Sequence, residues 1–143
     1  MNKIIIGITA GSFDLTHQGH YLMFEECKDS CDYLIVFLQT NPNIDRQDKN
    51  TPIQSISERF LQVRACKYVD EIIVYETEAD LYTLLSSVTY DKRFIGADWQ
   101  GKPFTGHDIL GMEEKIVFNS RNHGFSTSNL RARVFKAEND KLI

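Results

Sequence analysis

Short apolar runs alternate with segments of helical periodicity along most of the chain. The apolar runs, rich in β-branched residues, predict buried strands at about residues 3–9, 32–39, 71–76, 93–99 and 115–118. The segments between them carry apolar residues three and four positions apart, which predicts helices over about 17–30, from Ser55, over 79–89 and after residue 126. This alternation indicates an α/β fold: a Rossmann-like doubly wound parallel sheet of about five strands with helices on both faces.

Each predicted helix has an apolar stripe that we expect to face the core. These stripes are Met23, Phe24 and Cys27; Ile56, Phe60 and Val63; Leu81, Leu84, Leu85 and Val88; and Leu130 with Val134. A polar stretch with two prolines, residues 41–54, separates the second strand from the second helix. Its composition predicts a long loop, and loops of this length in a compact domain are often functional lids.

A polar decapeptide, Gly11 to His20, lies between the first strand and the first helix. Such strand-to-helix turns are where open α/β sheets bind ligands. If the helix begins near Thr16, His17 and His20 share one face of its first turn, beside unpaired N–H groups and the positive end of the helix dipole. Gly19 would leave the helix surface bare between them, so a ligand could lie close to the backbone. These features predict an anion site, with phosphate as the expected anion.

Two other interpretations of this turn remain. The histidines could belong to a solvated first turn, although that would not require the glycines at these spacings. Asp14, His17 and His20 could instead ligate a metal ion, since carboxylates and imidazoles are good ligands. The segment lacks the His-Glu-x-x-His arrangement of many zinc sites, and we therefore favour phosphate.

Composition and charge limit the class of protein. With 143 residues, the chain has the size of one domain, 1–143, with a real core. Its 42% hydrophobic and 25% charged residues are typical of soluble globular proteins. A net charge of −4 without a basic stretch argues against a nucleic-acid partner. No apolar run is long enough to span a membrane, and the absence of a hydrophobic leader before the first strand predicts a cytoplasmic protein. The three cysteines, without a Cys-x-x-Cys pair, predict packed thiols rather than disulfides or zinc ligands.

The decapeptide Gly-Ser-Phe-Asp-x-x-His-x-Gly-His resembles the signature of the HxGH nucleotidyltransferases. Within them it is most similar to the cytidylyltransferase branch, in particular the glycerol-3-phosphate cytidylyltransferases. The resemblance implies transfer of CMP from CTP to a small phosphorylated or phosphonate acceptor, with release of pyrophosphate. It also implies a magnesium or other divalent ion and a homodimer, whose contact would lie near the segment from Lys67 to Ile72.

Later segments extend the resemblance. The run from Gly96 to Trp99 is similar to a family segment that borders the nucleoside, with Ala97 in place of one acidic residue. A carboxylate at Asp98 would be a sound acceptor for the exocyclic amine of cytosine. The segment around Arg59 is similar to one whose arginine lies at the active site. In the loop 41–54 the family places a lysine on the triphosphate; Lys49 is the better candidate, Arg46 stays open, and both could instead be solvated charges.

The segment from Arg121 to Ser128 resembles the second signature of the family, with Asn122 and His123 as departures that bear mainly on the acceptor. Its three hydroxyls stand at a predicted helix N-terminus, where one can cap the backbone and the others can hold phosphate. Arg121 would neutralise the pyrophosphate. The two strand-to-helix turns would therefore face one triphosphate.

The resemblance and the turn chemistry together assign roles to individual residues. The expected catalytic residues are His17, His20, Lys49 and Arg121. The expected nucleotide-binding residues are Thr9, Gly11, Ser12, Phe13, Gly19, Arg59, Gly96, Asp98, Trp99, Ser126, Thr127 and Ser128. Asp14 would either hold the metal ion or fix the turn. The alternatives are an adenylyltransferase of the same superfamily that uses ATP, and a nucleotide-binding module without catalysis.

Overall fold

The protein folds around one five-stranded parallel sheet. The structure, a computed structural model, describes residues 2–121 and 123–142. The strands and helices are β1 (Ile6–Gly11), α1 (Gln18–Asp29), β2 (Tyr33–Gln39), α2 (Ile56–Arg64), β3 (Glu71–Tyr75), α3 (Glu78–Ser87), β4 (Lys92–Gly96), β5 (Ile116–Asn119) and α4 (Thr127–Asp140). The strand order is β3-β2-β1-β4-β5, and all four neighbouring pairs are parallel. The predicted α/β fold is confirmed.

Alternating side chains of the strands form two cores, one on each face of the sheet. Leu34, Val36 and Leu38 of β2 pack with Phe24 and Cys27 on the face covered by α1 and α2. Ile35 and Phe37 point to the opposite face and pack with Ile8, Leu81 and Leu85 under α3. Because both faces of β2 are buried, this strand is apolar throughout rather than alternating. The predicted stripes of the first three helices are confirmed.

The order of the strands places a crevice in the middle of the sheet. The chain runs from β1 outward to β2 and β3, then returns to the other side of β1 with β4 and β5. Loops at the carboxyl ends of β1 and β4 therefore leave in opposite directions. In open α/β sheets this switch point is where ligands bind.

Three local predictions require correction. The first helix begins at Gln18, one residue after the predicted start at about 17, and the side chain of His17 caps it. The fourth strand ends at Gly96, and Ala97–Trp99 forms a turn of 3₁₀-helix. Val134 does not face the core: it is 56% exposed, and α4 buries no residue fully.

Two further expectations about the chain, the loop and the packed thiols, are confirmed in the described residues. Residues 41–54 form an irregular segment between β2 and α2, as predicted. Cys27, Cys31 and Cys66 are free and buried. Within 2–121 and 123–142, no helix is both long and apolar enough to cross a membrane.

Candidate active site

A cleft of about 980 Å³ opens at the carboxyl edge of the sheet. The last residue of every strand lines it: Gly11, Gln39, Tyr75, Gly96 and Asn119. Most of the predicted site residues also line it: Thr9, Gly11, Ser12, Phe13, His17, Gly19, His20, Lys49, Gly96, Trp99, Arg121, Ser126, Thr127 and Ser128. Its size is that of a pocket for a nucleotide-sized ligand.

His17 and His20 form a capping box at the start of α1. The Gly19 backbone N–H donates to Nδ1 of His17 at 3.0 Å, and the His17 backbone N–H donates to Nδ1 of His20 at 3.2 Å. The two ring centroids lie 4.1 Å apart. The pair is thus held together by the first turn of the helix, as predicted, although His17 is the cap and not a residue of the turn.

The capping box also fixes the protonation of both rings. Because each Nδ1 accepts a backbone N–H, the ring proton of a neutral imidazole must be on Nε2. Burial lowers the pKa of His20 to about 4, with a smaller contribution from the neighbouring His17, and burial likewise lowers the pKa of His17. At neutral pH the pair therefore presents two Nε2–H donors.

The second turn meets the first across the cleft. Thr127 Oγ1 and His17 Nε2 lie 3.1 Å apart, which joins the N-termini of α4 and α1. Ser126 is the N-cap of α4, and its Oγ accepts the Asn129 backbone N–H at 3.1 Å. One hydroxyl of the three thus caps the helix, one contacts His17, and Ser128 lines the cleft. Asn122, a departure from the family pattern, lies outside the described residues.

Gly19 allows the N-terminus of α1 to approach the segment before α4 closely. A Cβ atom at this position would lie 2.9 Å from His123 Cε1, 2.9 Å from His17 Cε1 and 3.0 Å from Phe125 Cβ. The predicted bare surface therefore exists, but the segment 123–125 of the same chain covers part of it. A larger residue at Gly19 would push the two turns apart.

Strained backbone occurs at these same two turns. Phe13, Leu15 and Arg121 are the non-glycine residues with positive φ in the described chain, at +48°, +51° and +46°. Such conformations persist only where surrounding contacts impose them, and they cluster at functional sites. The Phe13 ring packs against the rings of Phe24 and His20. The strained backbone at Phe13 therefore places an aromatic ring against the histidine pair.

Asp14 fastens the first turn to the end of the loop 41–54. Its two carboxylate oxygens accept the backbone N–H groups of Ile53 and Gln54 at 2.8 and 2.9 Å, and the Leu15 N–H donates to Gln54 Oε1 at 2.8 Å. This is the turn-fixing role, one of the two predicted for Asp14. Ligation of a metal by Asp14 stays a prediction; in the described part of the chain no three His, Cys, Asp or Glu side chains are grouped to hold a metal ion.

Arg59, which the resemblance predicts to bind the nucleotide, lies beneath the cleft and does not line it. The residue is 2% exposed. Its guanidinium donates to the carbonyls of Ser12, Gln39, Thr40 and Gln54 at 2.5–3.1 Å. It therefore ties the ends of β1 and β2 to the start of α2. A sequence motif could identify this arginine but not the carbonyl groups that surround it.

The segment after β4 borders the opposite wall. Trp99 lines the cleft, whereas the exposed carboxylate of Asp98 is directed to Arg121, with 3.4 Å between oxygen and nitrogen. A Cβ at Gly96 would lie 2.6 Å from Asp98 Oδ1, so a larger residue here would displace this carboxylate from its position beside Arg121. Asp98, predicted to contact the nucleoside, and Arg121, predicted to contact the pyrophosphate, thus lie next to each other.

The two loop cations differ in their surroundings. Arg46 lies 3.1 Å from Glu78 Oε1 and 3.4 Å from Gln39 Oε1. Lys49 lines the cleft, is exposed, and makes no ion pair with the described residues. Lys49 is therefore the cation that can reach a ligand without breaking an existing pair.

Several residues that line the cleft were not selected from the sequence. They are Gln39, Tyr75, Glu78, Arg93, Phe104 and Thr105, which lie on the side of the cleft next to α3. One signal was available: an arginine inside an apolar strand is unusual, because a buried charge needs a partner. Nothing in the local sequence indicates which groups surround Arg93.

Comparison with known proteins agrees with this architecture. The sequence profile of the family described as Cytidylyltransferase-like matches residues 8–133. The glycerol-3-phosphate cytidylyltransferase of Bacillus subtilis is 31% identical over 135 residues, which are 94% of this chain and 98% of that protein. The bifunctional protein HldE of Caulobacter vibrioides is 32% identical over 131 residues, which are 90% of this chain but only 27% of HldE. The chain thus spans about a quarter of the length of such HldE relatives.

A solved structure supports the fold independently. The lipopolysaccharide core biosynthesis protein from Thermoplasma volcanium aligns with a TM-score of 0.59 at 20% identity, over 95% of this chain and 90% of that one. The profile covers both strand-to-helix turns, and the Bacillus subtilis relative matches along nearly its full length. On this evidence the chain belongs to the cytidylyltransferase-like family of nucleotidyltransferases.

Proposed function

We propose that the protein transfers CMP from CTP to a small phosphorylated acceptor, similar to glycerol 3-phosphate, and releases pyrophosphate. The observation that carries this proposal is the junction of two helix N-termini at His17 and Thr127, where neutral imidazole N–H groups, hydroxyls and Arg121 converge. Backbone N–H groups and the dipoles of both helices favour a polyphosphate at such a place. The full-length similarity to a glycerol-3-phosphate cytidylyltransferase favours CTP and an acceptor of this size.

In the proposed reaction an oxygen of the acceptor phosphate attacks the α-phosphorus of CTP. The bond between the α-phosphorus and the bridging oxygen to the β-phosphate breaks, and pyrophosphate leaves. Positioning and charge neutralisation provide most of the rate in such transfers. His17 and His20 donate from Nε2 to phosphate oxygens as negative charge moves toward the leaving group, while Lys49 and Arg121 neutralise it.

The proposal includes a divalent ion, most simply magnesium, which would neutralise charge on the phosphates. The described residues fit a loosely held ion: Mg²⁺ in nucleotide sites is usually bound by phosphates, waters and one or two carboxylates rather than by an all-protein cage. Asp14 is the carboxylate closest in sequence to the histidine pair, and its oxygens already accept two backbone N–H groups. The steps assigned to the side chains above do not depend on its position.

We also propose that the protein is a homodimer, on the resemblance near residues 67–72. Tyr68 is half-buried in the core on the α1 face, and its hydroxyl donates to Glu25 at 2.5 Å. Analytical ultracentrifugation would test the proposal. A single species of 16.5 kDa at micromolar concentration would contradict it.

Measurement of pyrophosphate release tests the proposed function. Each nucleoside triphosphate is combined with glycerol 3-phosphate, phosphocholine, phosphoethanolamine or a phosphonate, in the presence of Mg²⁺. We expect release with CTP that depends on an acceptor. Release with ATP and not CTP would instead support the adenylyltransferase alternative. CTP binding without release for any acceptor would support a nucleotide-binding module and contradict the proposal.

A further inference from the structure

The cleft has a second side that the proposed nucleotide contacts do not use. His17, Arg121 and Trp99 lie on the side next to α1, α4 and the turn after β4. The other side is next to α3 and is lined by Gln39, Tyr75, Glu78, Arg93 and Thr105. We call these residues the α3 side of the cleft. The strands carry Gln39, Tyr75 and Arg93 on the face of the sheet that α3 covers, and Glu78 is the first residue of α3.

Arg93 is a buried cation on this side. It is 6% exposed and lines the cleft. One guanidinium nitrogen, NH1, donates to the Thr105 carbonyl at 2.6 Å, and the guanidinium lies 5.2 Å from the centre of the Phe104 ring. Within 2–121 and 123–142 its remaining N–H groups have no oxygen partner, and no carboxylate forms an ion pair with it. A buried charge of this kind is costly unless it is paired.

The acidic residue of the α3 side is already engaged. One oxygen of Glu78 pairs with Arg46 at 3.1 Å, and the other accepts the Thr105 hydroxyl at 2.8 Å. Asp108, which also lines the cleft, is exposed and makes no hydrogen bond with Arg93. Arg46 also lines the cleft, and the half-buried Glu78 pairs with Arg46, so that within the described residues Arg93 is left without a paired carboxylate.

Tyr75 adds a hydroxyl to the same place. The residue is 6% exposed and lines the cleft, and its phenol has no hydrogen-bond partner in the described chain. Burial raises the pKa of Tyr75, so the phenol keeps its proton and can donate. Burial lowers the pKa of Arg93 only to about 10, so the guanidinium stays charged at neutral pH. Within the described residues, the Tyr75 hydroxyl and the Arg93 nitrogens other than NH1 have no hydrogen-bond acceptor.

We propose that Arg93 and Tyr75 bind the end of the acceptor that is remote from its reacting phosphate, and that this end carries a negative charge such as a carboxylate. This inference rests on the proposed function, since it assumes that the nucleotide occupies the α1 side. It makes Arg93 a residue that determines acceptor specificity. A phosphorylated amine would place the ammonium group of its remote end against the guanidinium of Arg93. Because both groups are positive, such an acceptor is disfavoured.

Three acceptors of similar size and different terminal charge test the inference. With CTP and Mg²⁺, we compare 3-phosphoglycerate, whose remote end is a carboxylate, with glycerol 3-phosphate, whose remote end is an uncharged hydroxyl, and phosphoethanolamine, whose remote end is an ammonium group. For the natural protein we expect kcat/KM to fall in that order. The acid should exceed the amine by about 10-fold to 100-fold, the range for one charged hydrogen bond.

Substitutions identify the residues responsible. Arg93→Met should remove the order among the three acceptors by raising KM for 3-phosphoglycerate, while KM for CTP stays within about 2-fold. Tyr75→Phe should raise the same KM without loss of stability, because its hydroxyl has no partner in the described chain. Tyr90→Phe is the matched control: this phenol donates to the Leu85 carbonyl and does not line the cleft, so its removal should lower stability and leave the order unchanged.

The outcomes separate the inference from the function on which it rests. If no acceptor supports pyrophosphate release from CTP, the proposed function is wrong. If CTP is used but the natural protein prefers glycerol 3-phosphate or phosphoethanolamine, only the present inference is overturned. It is also overturned if Arg93→Met keeps the order. If Arg93→Met fails to fold, two other variants test the inference. Arg93→Lys, which keeps the charge, must keep the order of kcat/KM among the three acceptors, and Tyr75→Phe must weaken this order.

Discussion

At the scale of single residues, His17 has two separable tasks. Its Nδ1 caps α1 by accepting the Gly19 N–H, and its Nε2 faces Thr127 and the cleft. A substitution that removes the whole side chain removes both. The chemistry of asparagine offers a way to separate them, because asparagine is among the best N-cap residues but has no imidazole donor.

We expect His17→Ala to lower turnover by about 10²–10³, the scale for loss of one preorganised donor. It should also cost about 1 kcal/mol of stability through the lost cap. His17→Asn should lose turnover to the same extent while its melting temperature stays near that of the natural protein. Steady-state kinetics and thermal melts of both variants check this, and near-normal turnover of His17→Asn would exclude His17 from the mechanism.

His20 gives a pH dependence whose direction follows from its environment. Burial holds its pKa at about 4, below the ordinary value of 6.5. As the pH falls from 7 to 5, the unfolded chain gains a proton on this ring and the folded protein does not, so stability falls. We expect this residue alone to account for about 2 kcal/mol of the loss at pH 5.

His20→Gln is the matched control for this prediction, because glutamine can keep the capping box but does not titrate in this range. Urea denaturation at pH 7, 6 and 5 should show the natural protein losing more stability than the variant. Parallel pH curves for the two proteins would mean that His20 has an ordinary pKa when folded.

At the scale of elements, the cleft depends on how the strand ends are joined. Arg59 of α2 connects the carbonyls that follow β1 and β2, and Asp14 connects the first turn to the loop before α2. These contacts hold the backbone at Ser12 and Gln39 in the positions from which both residues line the cleft. Element ends, rather than element interiors, thus determine the shape of the site.

We expect Arg59→Met to destabilise the protein by about 3 kcal/mol or more, because one buried and three partly buried carbonyl groups lose their donor. The melting temperature should fall by at least about 6 °C. Arg64→Met, an exposed position on the same helix, is the control and should change stability by less than about 0.5 kcal/mol. Wild-type stability of Arg59→Met with a large loss of CTP affinity would show instead that Arg59 contacts the nucleotide.

At the scale of the whole molecule, a ligand that bridges both turns should stabilise the entire fold. Binding to the folded state alone adds about 2.7 kcal/mol at 100 times the dissociation constant. For a protein of this size we expect CTP to raise the melting temperature by about 5–10 °C under those conditions, and ATP at the same concentration to raise it much less. Asp98→Ala should narrow the difference between the melting-temperature shifts that CTP and ATP cause. For the natural protein, a shift with ATP that equals or exceeds the shift with CTP would contradict the choice of CTP.

The alternation of strands and helices, the inward stripes of α1 to α3 and the chemistry of the two turns could all be predicted from the sequence. They depend on periodicity and on residues adjacent along the chain, such as the six residues from Asp14 to Gly19. The start of α1 differs from the predicted one by one residue, since histidine is an uncommon cap and its role depends on a neighbour's backbone geometry. The outward orientation of Val134 was missed because periodicity does not show whether anything covers a helix.

The sequence by itself therefore determined the fold class and the family resemblance, and it located the two polar turns between a strand and a helix, because each follows from local pattern. Only the tertiary structure decided that Arg59 supports the cleft from below, that Asp14 fastens the loop, and that Arg93 lies unpaired by any carboxylate of the described chain. The physical reason is that parallel strands bring together residues far apart in sequence, such as Ile8 and Arg93. The partners of a buried charge are set by that pairing and not by its neighbours along the chain.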